Sequence, residues 1–194
     1  MFDYKKITVV SNRHLCQRPF DEQIRRVCEL QPAGIILREK DLDEADYTAL
    51  AEMVLPICEA AGVPLIIHTY PEAARALGIS RIHMPLPLLR SCSQAGDPHS
   101  LDDFKIIGCS THSLAEAQEA IALGADYLTA GHIFTTDCKK GLAPRGLSFL
   151  REVCQASPLP VHAIGGISFD EEQIRQVLEC GAAGVCIMSA AMRI

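Results

Sequence analysis

The chain has 194 residues, 48% of them hydrophobic and 22% charged, with a net charge of −6. These values suit one globular domain, residues 1–194, with a sizeable core. They exclude a general nucleic-acid binder, which needs a basic face. No apolar run is long enough to span a bilayer. The start, Met1-Phe2-Asp3-Tyr4-Lys5-Lys6, lacks the apolar segment of a secretory signal, so a cytoplasmic protein is expected.

Short apolar, β-branched runs recur in chain order: Ile7–Ser11, Gly34–Leu37, Pro64–Ile67, Arg81–Met84, Lys105–Cys109, Asp126–Ala130, Val161–Ile164 and Gly184–Met188. They are nearly continuous rather than alternating, as expected of parallel strands buried on both faces. Helical spacing fills most gaps, over Asp21–Leu30, Asp43–Ala61, Ser113–Leu123 and Ser168–Glu179. Ser113 with Glu116 reads as a capping box. Gly62, Gly124 and Gly181 suit left-handed helix ends. Pro85–Phe104 reads as a loop with one short helix.

Eight strands alternating with helices predict an α/β fold, a (β/α)8 TIM barrel, over an open doubly wound sheet. Only six residues follow the eighth strand. The closing helix is therefore expected to be truncated, with the wall there covered by a partner chain or left partly open.

The nine cysteines form no Cys-x-x-Cys pair, which argues against a zinc ribbon or a thioredoxin-like motif. Most read as small buried hydrophobes. Cys138 differs, because it lies in a candidate site loop.

In such barrels the site lies where strands lead into helices. Polar residues gather at those ends: Asn12 and Arg13, then Arg38, Glu39 and Lys40, His68, His83, Ser110 and His112, His132, Gly165 and Gly166, and Ser189. This clustering points to an enzyme. The loop Gly131–Gly141 sets an imidazole beside hydroxyls and lysines. His132 is the acid/base candidate, because imidazole titrates near neutrality. Gly165-Gly166 and Met188-Ser189 suit a phosphate held by backbone amides. Arg38 and Lys40 leave one strand end and can both face the mouth; the bland alternative for Arg38 is a salt bridge to Glu39, Asp41 or Asp43. His68 and His112 read as structural. No carboxylate cluster stands at the strand ends, so no metal is expected. The pattern as a whole suggests a phosphate-bearing small molecule and proton transfer.

The chain resembles the thiamine phosphate synthase/TenI superfamily. The matching segments are Leu37-Arg38-Glu39-Lys40, Ile107–Ser113, Gly124-Ala125-Asp126-Tyr127, Gly131–Lys139, Ala163–Ile167 and Gly184–Ala190. The resemblance implies a (β/α)8 barrel, often a homodimer, acting on thiazole phosphates. Synthases of this superfamily couple a pyrimidine diphosphate to a thiazole phosphate with magnesium. TenI-type tautomerases aromatise a carboxythiazole phosphate with no metal or cofactor.

Two departures from the synthase pattern separate these activities. Asn-Asp-Arg after the third strand is replaced by His68-Thr69-Tyr70. The acidic pair that follows His-Leu-Gly-Gln after the fourth is lost in His83-Met84-Pro85-Leu86-Pro87-Leu88. Ile36 also replaces a glutamine. Conversely, His132 and Phe134–Leu142 follow the tautomerase loop. The resemblance then implies His132 as the catalytic acid/base. It places Arg38, Thr136, Cys138, Lys139, Gly166, Met188 and Ser189 on the substrate, and Lys40, Ser110 and Gly165 are added as substrate-binding candidates from their strand-end positions. The rival readings are an active synthase and a non-catalytic regulatory or ligand-binding barrel.

Overall fold

The computed structural model describes residues 3–94, 101–136, 139 and 141–194. Eight parallel strands close into one barrel in sequence order. They are β1 (Ile7–Val10), β2 (Gly34–Leu37), β3 (Leu65–His68), β4 (Arg81–Pro85), β5 (Ile106–Thr111), β6 (Tyr127–Gly131), β7 (Val161–Ile164) and β8 (Gly184–Ile187). Pairing of β1 with β8, Thr8 opposite Cys186, completes the ring. The open-sheet alternative is thereby removed.

The helices are α1 (Phe20–Glu29), α2 (Glu44–Ala61), α3 (Pro71–Ala76), α4 (Leu86–Gln94), α5 (Leu114–Ala122), α6 (Gly146–Ala156) and α7 (Glu171–Leu178). One apolar cluster lies between strands and helices and includes Val9, Ile35, Ile67, Ile82, Leu128 and Val185. Tyr47 of α2 locks this layer: its hydroxyl donates to Leu37 O at 2.6 Å and accepts from His68 N at 3.0 Å. A second, smaller cluster fills the lumen with Val10, Ile36, Ile66 and Cys186, and Ile164 and Met188 pack on it.

Local chemistry explains the element ends. Ser113 caps α5 by accepting from Glu116 N at 3.1 Å. The Glu116 carboxylate accepts from His112 N, one residue before the cap, rather than from the cap residue itself. Asp170, not Ser168, caps α7, so that helix starts later than its apolar spacing predicts. Gly62 closes α2 at φ +66°, where a side chain would be strained. Strand β5 runs two residues past the predicted Cys109, which puts Ser110 inside the sheet. Past β8 the chain forms a 3-10 turn, Ala191–Arg193, instead of a helix. Ala191 and Met192 are buried there. Gln23 of α1 donates to Ala191 O at 2.9 Å.

Candidate active site at the carboxyl end of the barrel

The ends of β6 and β7 interlock. Ile133 N donates to Ile164 O and Phe134 N to Gly165 O, both at 3.0 Å. Glycine is required on both sides of this seam. A Cβ on Gly131 would lie 2.5 Å from Ile164 O, one on Gly165 2.3 Å from His132 Cβ, and one on Gly166 2.5 Å from Thr135 O. Gly165 and Gly166 also take φ of +100° and +70°. The glycine turn is thus pressed directly against His132 and the segment that leads to Thr136. His132 is half-buried, and its Nε2 lies 3.4 Å from Leu142 O.

The turn is held from behind by Gln173 of α7. Its amide donates to Gly166 O at 2.8 Å and its carbonyl accepts from Ser168 N at 2.9 Å. Met188 shares the lumen cluster with Ile164, so the Met188-Ser189 turn rises beside the glycine turn on the adjacent strand. Both turns are only partly covered. A glycine turn of this kind lets backbone amides approach an anion.

Across the mouth stands a group of cations. The Lys40 ammonium is held below its ordinary pKa, first by burial and then by repulsion from Arg38 and Lys139. A group of like charges at the barrel mouth favours an anionic ligand. Of the carboxylates Glu39, Asp41 and Asp43, the first two bond Arg13. Glu39, 2% exposed, accepts from Ser11 Oγ at 2.6 Å and from the Arg13 guanidinium at 3.1 Å. Asp41 takes Arg13 and, at 2.9 Å, His14. Asp41 is accordingly held well below the usual carboxylate range, chiefly by Arg13. A cleft of about 250 Å3 opens here, lined by Glu39, Lys40, His68, Thr69, Tyr70 and Pro85.

Two histidines lie inward of this cleft and are buried. Burial holds the His68 imidazole down to about 2, with repulsion from His83, Arg38 and Lys40 adding to it. Burial likewise holds His83 down to about 3, helped by His162 and Arg38. Both rings are therefore neutral at pH 7 and stack with centroids 5.8 Å apart. His83 Nε2 contacts Ser110 Oγ at 2.8 Å. His112 is half-buried at the end of β5.

The predicted residues sort as follows. His132, Gly165 and Gly166 are in contact, and Thr136 follows directly on Thr135, which touches the turn. Met188 and Ser189 flank that turn. Arg38, Lys40 and Lys139 form the cationic side, and Ser110 joins from β5. Cys138 lies outside the described residues. The other cysteines are all free thiols. Gln173 and Tyr127 escaped the sequence reading, and Glu39 and His83 were placed at the strand ends without their partners, Arg13 and Ser11 for the one and Tyr127 for the other. A hint existed for the last, since Gly108 inside a strand marks a close approach, and a Cβ there would meet Tyr127 at 2.1 Å.

Residues 7–191 match the family described as thiamine monophosphate synthase (TMP-TENI). A thiamine-phosphate synthase of Syntrophomonas wolfei is 33% identical, covering 98% of this chain and 89% of the relative. One from Clostridium acetobutylicum is 31% identical over 96% and 86%. Among solved structures, a thiamine phosphate pyrophosphorylase from Pyrococcus furiosus superposes with a TM-score of 0.79 at 26% identity, covering 98% of this chain and 88% of that one. Among the described residues no helix is long and apolar enough to cross a membrane.

Proposed function

The chain belongs to the thiamine monophosphate synthase (TMP-TENI) family, an enzyme family, and from that premise we propose that it is a thiazole tautomerase. The observation that carries this reading is the chemistry at the ends of β3 and β4. Where magnesium-dependent synthases carry an aspartate and an acidic pair, this chain has Thr69 and Pro87-Leu88. The neighbouring His68 and His83 are buried and neutral. Magnesium selects hard oxygen ligands, chiefly carboxylates and substrate phosphates. A hydroxyl bonded to the His68 ring at 2.5 Å, a proline and a leucine do not supply them. Among the described residues no group of three His, Cys, Asp or Glu could hold a metal ion. These residues do not fit the metal-assisted coupling, so no step is routed through it.

What the site retains suits proton transfer on a small molecule with two anionic groups. The phosphate would rest on the Gly165-Gly166 and Met188-Ser189 turns, and the carboxylate would face Arg38, Lys40 and Lys139. His132, pressed against the glycine turn, would then reach the ring between the two anchors. His132 removes the proton from ring carbon 2 of the dihydrothiazole. Electrons shift through the ring, and a proton is returned to the exocyclic carbon. The product is the aromatic carboxythiazole phosphate. Aromatisation supplies the driving force, and the protein supplies orientation and the proton relay.

The test is a direct assay of the tautomer. Turnover should vanish in His132→Ala and persist in Cys138→Ala. Absence of turnover by the wild-type protein would leave a binding module instead. The second reading, a thiamine phosphate synthase, is favoured by the names of the curated relatives. Incubation with pyrimidine diphosphate, thiazole phosphate and magnesium should give no thiamine phosphate; robust formation would replace the tautomerase reading with this one.

A further inference from the structure

Barrel lumens are ordinarily filled by branched apolar side chains. On one side this lumen instead holds Tyr127, His83, Ser110 and Thr129. The Tyr127 hydroxyl lies 3.0 Å from His83 Nδ1, and His83 Nε2 lies 2.8 Å from Ser110 Oγ. Tyr127 reaches this point because Gly108 on the neighbouring strand leaves the space open. A Cβ on Gly108 would lie 2.4 Å from the phenol oxygen.

The direction of these bonds follows from counting protons. A phenol has one proton to give. Its one hydrogen-bond partner among the described residues is His83 Nδ1. If the imidazole donated to the phenol, the phenolic proton would be left inside the barrel with no acceptor, a costly arrangement. The phenol therefore donates and Nδ1 accepts. A neutral imidazole then carries its proton on Nε2, and burial keeps the ring neutral. Nε2–H donates to Ser110 Oγ. Thr129 Oγ1 lies farther off, 3.4 Å from the same oxygen, and donates towards it. The Ser110 oxygen is occupied as an acceptor, so its own proton is directed elsewhere. Ser110 is half-buried near the carboxyl end of β5, separated by β6 from the glycine turn that follows β7.

We propose that Tyr127 and His83 are positioning residues that lock Ser110 as a hydrogen-bond donor to the substrate, specifically to an acceptor at the end opposite the phosphate, such as its carboxylate. Only Ser110 touches the ligand; His83 and Tyr127 act through it. The ligand class rests on the tautomerase reading, whereas the direction of the chain does not.

Two measurements test this separately. In protein carrying 15N-labelled histidine, nitrogen–proton correlation spectra should show His83 with a bare Nδ1 and a protonated Nε2. Tyr127→Phe, which keeps the ring over Gly108, should give a mixture of tautomers. A wild-type His83 protonated on Nδ1 overturns the proposal whatever the protein catalyses. The second measurement is calorimetric titration with the aromatic carboxythiazole phosphate and with the same compound lacking the carboxylate. Ser110→Ala should weaken binding of the carboxylate roughly tenfold, as expected for a lost bond to a charged acceptor. It should change the truncated compound far less. Tyr127→Phe should weaken the carboxylate severalfold in the wild-type background and not at all in Ser110→Ala, because the two act as one unit. Additive effects would mean that Tyr127 serves only packing. Equal losses for both compounds would place the Ser110 contact elsewhere. Failure of the wild-type protein to bind the carboxylate overturns the assigned acceptor, whereas binding without turnover sinks the tautomerase reading alone.

Discussion

Gly165→Ala tests whether the glycine turn sets the position of His132. Gly165 sits at φ +100°, and the added methyl would lie 2.3 Å from His132 Cβ and 2.7 Å from its Cα. A positive φ costs an alanine about 1–2 kcal/mol, and relieving the overlap costs about 1–3 kcal/mol more. Together these predict roughly 2–5 kcal/mol of destabilisation. Gly62→Ala is the matched control, because Gly62 has φ +66° and nothing within 4 Å of its would-be Cβ. It should lose only the backbone part, about 1–2 kcal/mol. At roughly 2–4 °C per kcal/mol for a chain of this size, the two variants separate clearly in thermal melts. The steric part should also appear in catalysis. A displacement of the imidazole on the order of 1 Å is expected to lower tautomerase kcat about a hundredfold, while Gly62→Ala keeps it. If Gly165→Ala matched Gly62→Ala in both Tm and kcat, the contact between turn and histidine would have no mechanical meaning.

Acid should destabilise the fold through its lumen. His68 and His83 are held near 2 and 3 in the folded state, whereas an unfolded imidazole protonates near 6.5. Between these values the unfolded chain binds more protons, so stability is complete above about pH 6.5 and falls as pH drops. At pH 5 the loss amounts to about 2 kcal/mol for each ring. Urea midpoints at pH 7 and pH 5 should show it, with the drop reduced by about 2 kcal/mol in His68→Gln; an unchanged drop would refute the assignment. Glu39→Ala leaves the Ser11 hydroxyl and the Arg13 backbone amide without their acceptor and should cost about 1–3 kcal/mol, whereas Asp41→Asn, on the exposed arm of the same cluster, should shift Tm less. Gln173→Ala removes the side-chain bonds that hold the glycine turn from behind. It should raise KM for the phosphorylated substrate roughly fivefold with kcat retained, and an unchanged KM would show that the turn keeps its shape unaided.

The barrel was readable because its chemistry is local and repetitive. A strand buried on both faces has to be apolar throughout, so Gly34–Leu37 and Val161–Ile164 appear at their predicted bounds. Gly62 and the Ser113 cap were readable because a helix end needs particular residues at particular offsets. The same holds for the core of the candidate site. His132 and Gly165-Gly166 each follow directly on a strand, and in a closed parallel barrel all strand ends share one face.

Strand register decided the rest. Ser110 is 27 residues from His83, and His83 is 44 from Tyr127. No periodicity records that the three meet in the lumen. Whether Glu39 would pair with Arg38 beside it or with Arg13, 26 residues away, depended on which guanidinium the β1 and β2 ends bring together. Polar partners in a barrel are chosen by register and by the space a glycine leaves open. Both exist only once neighbouring strands have paired in register.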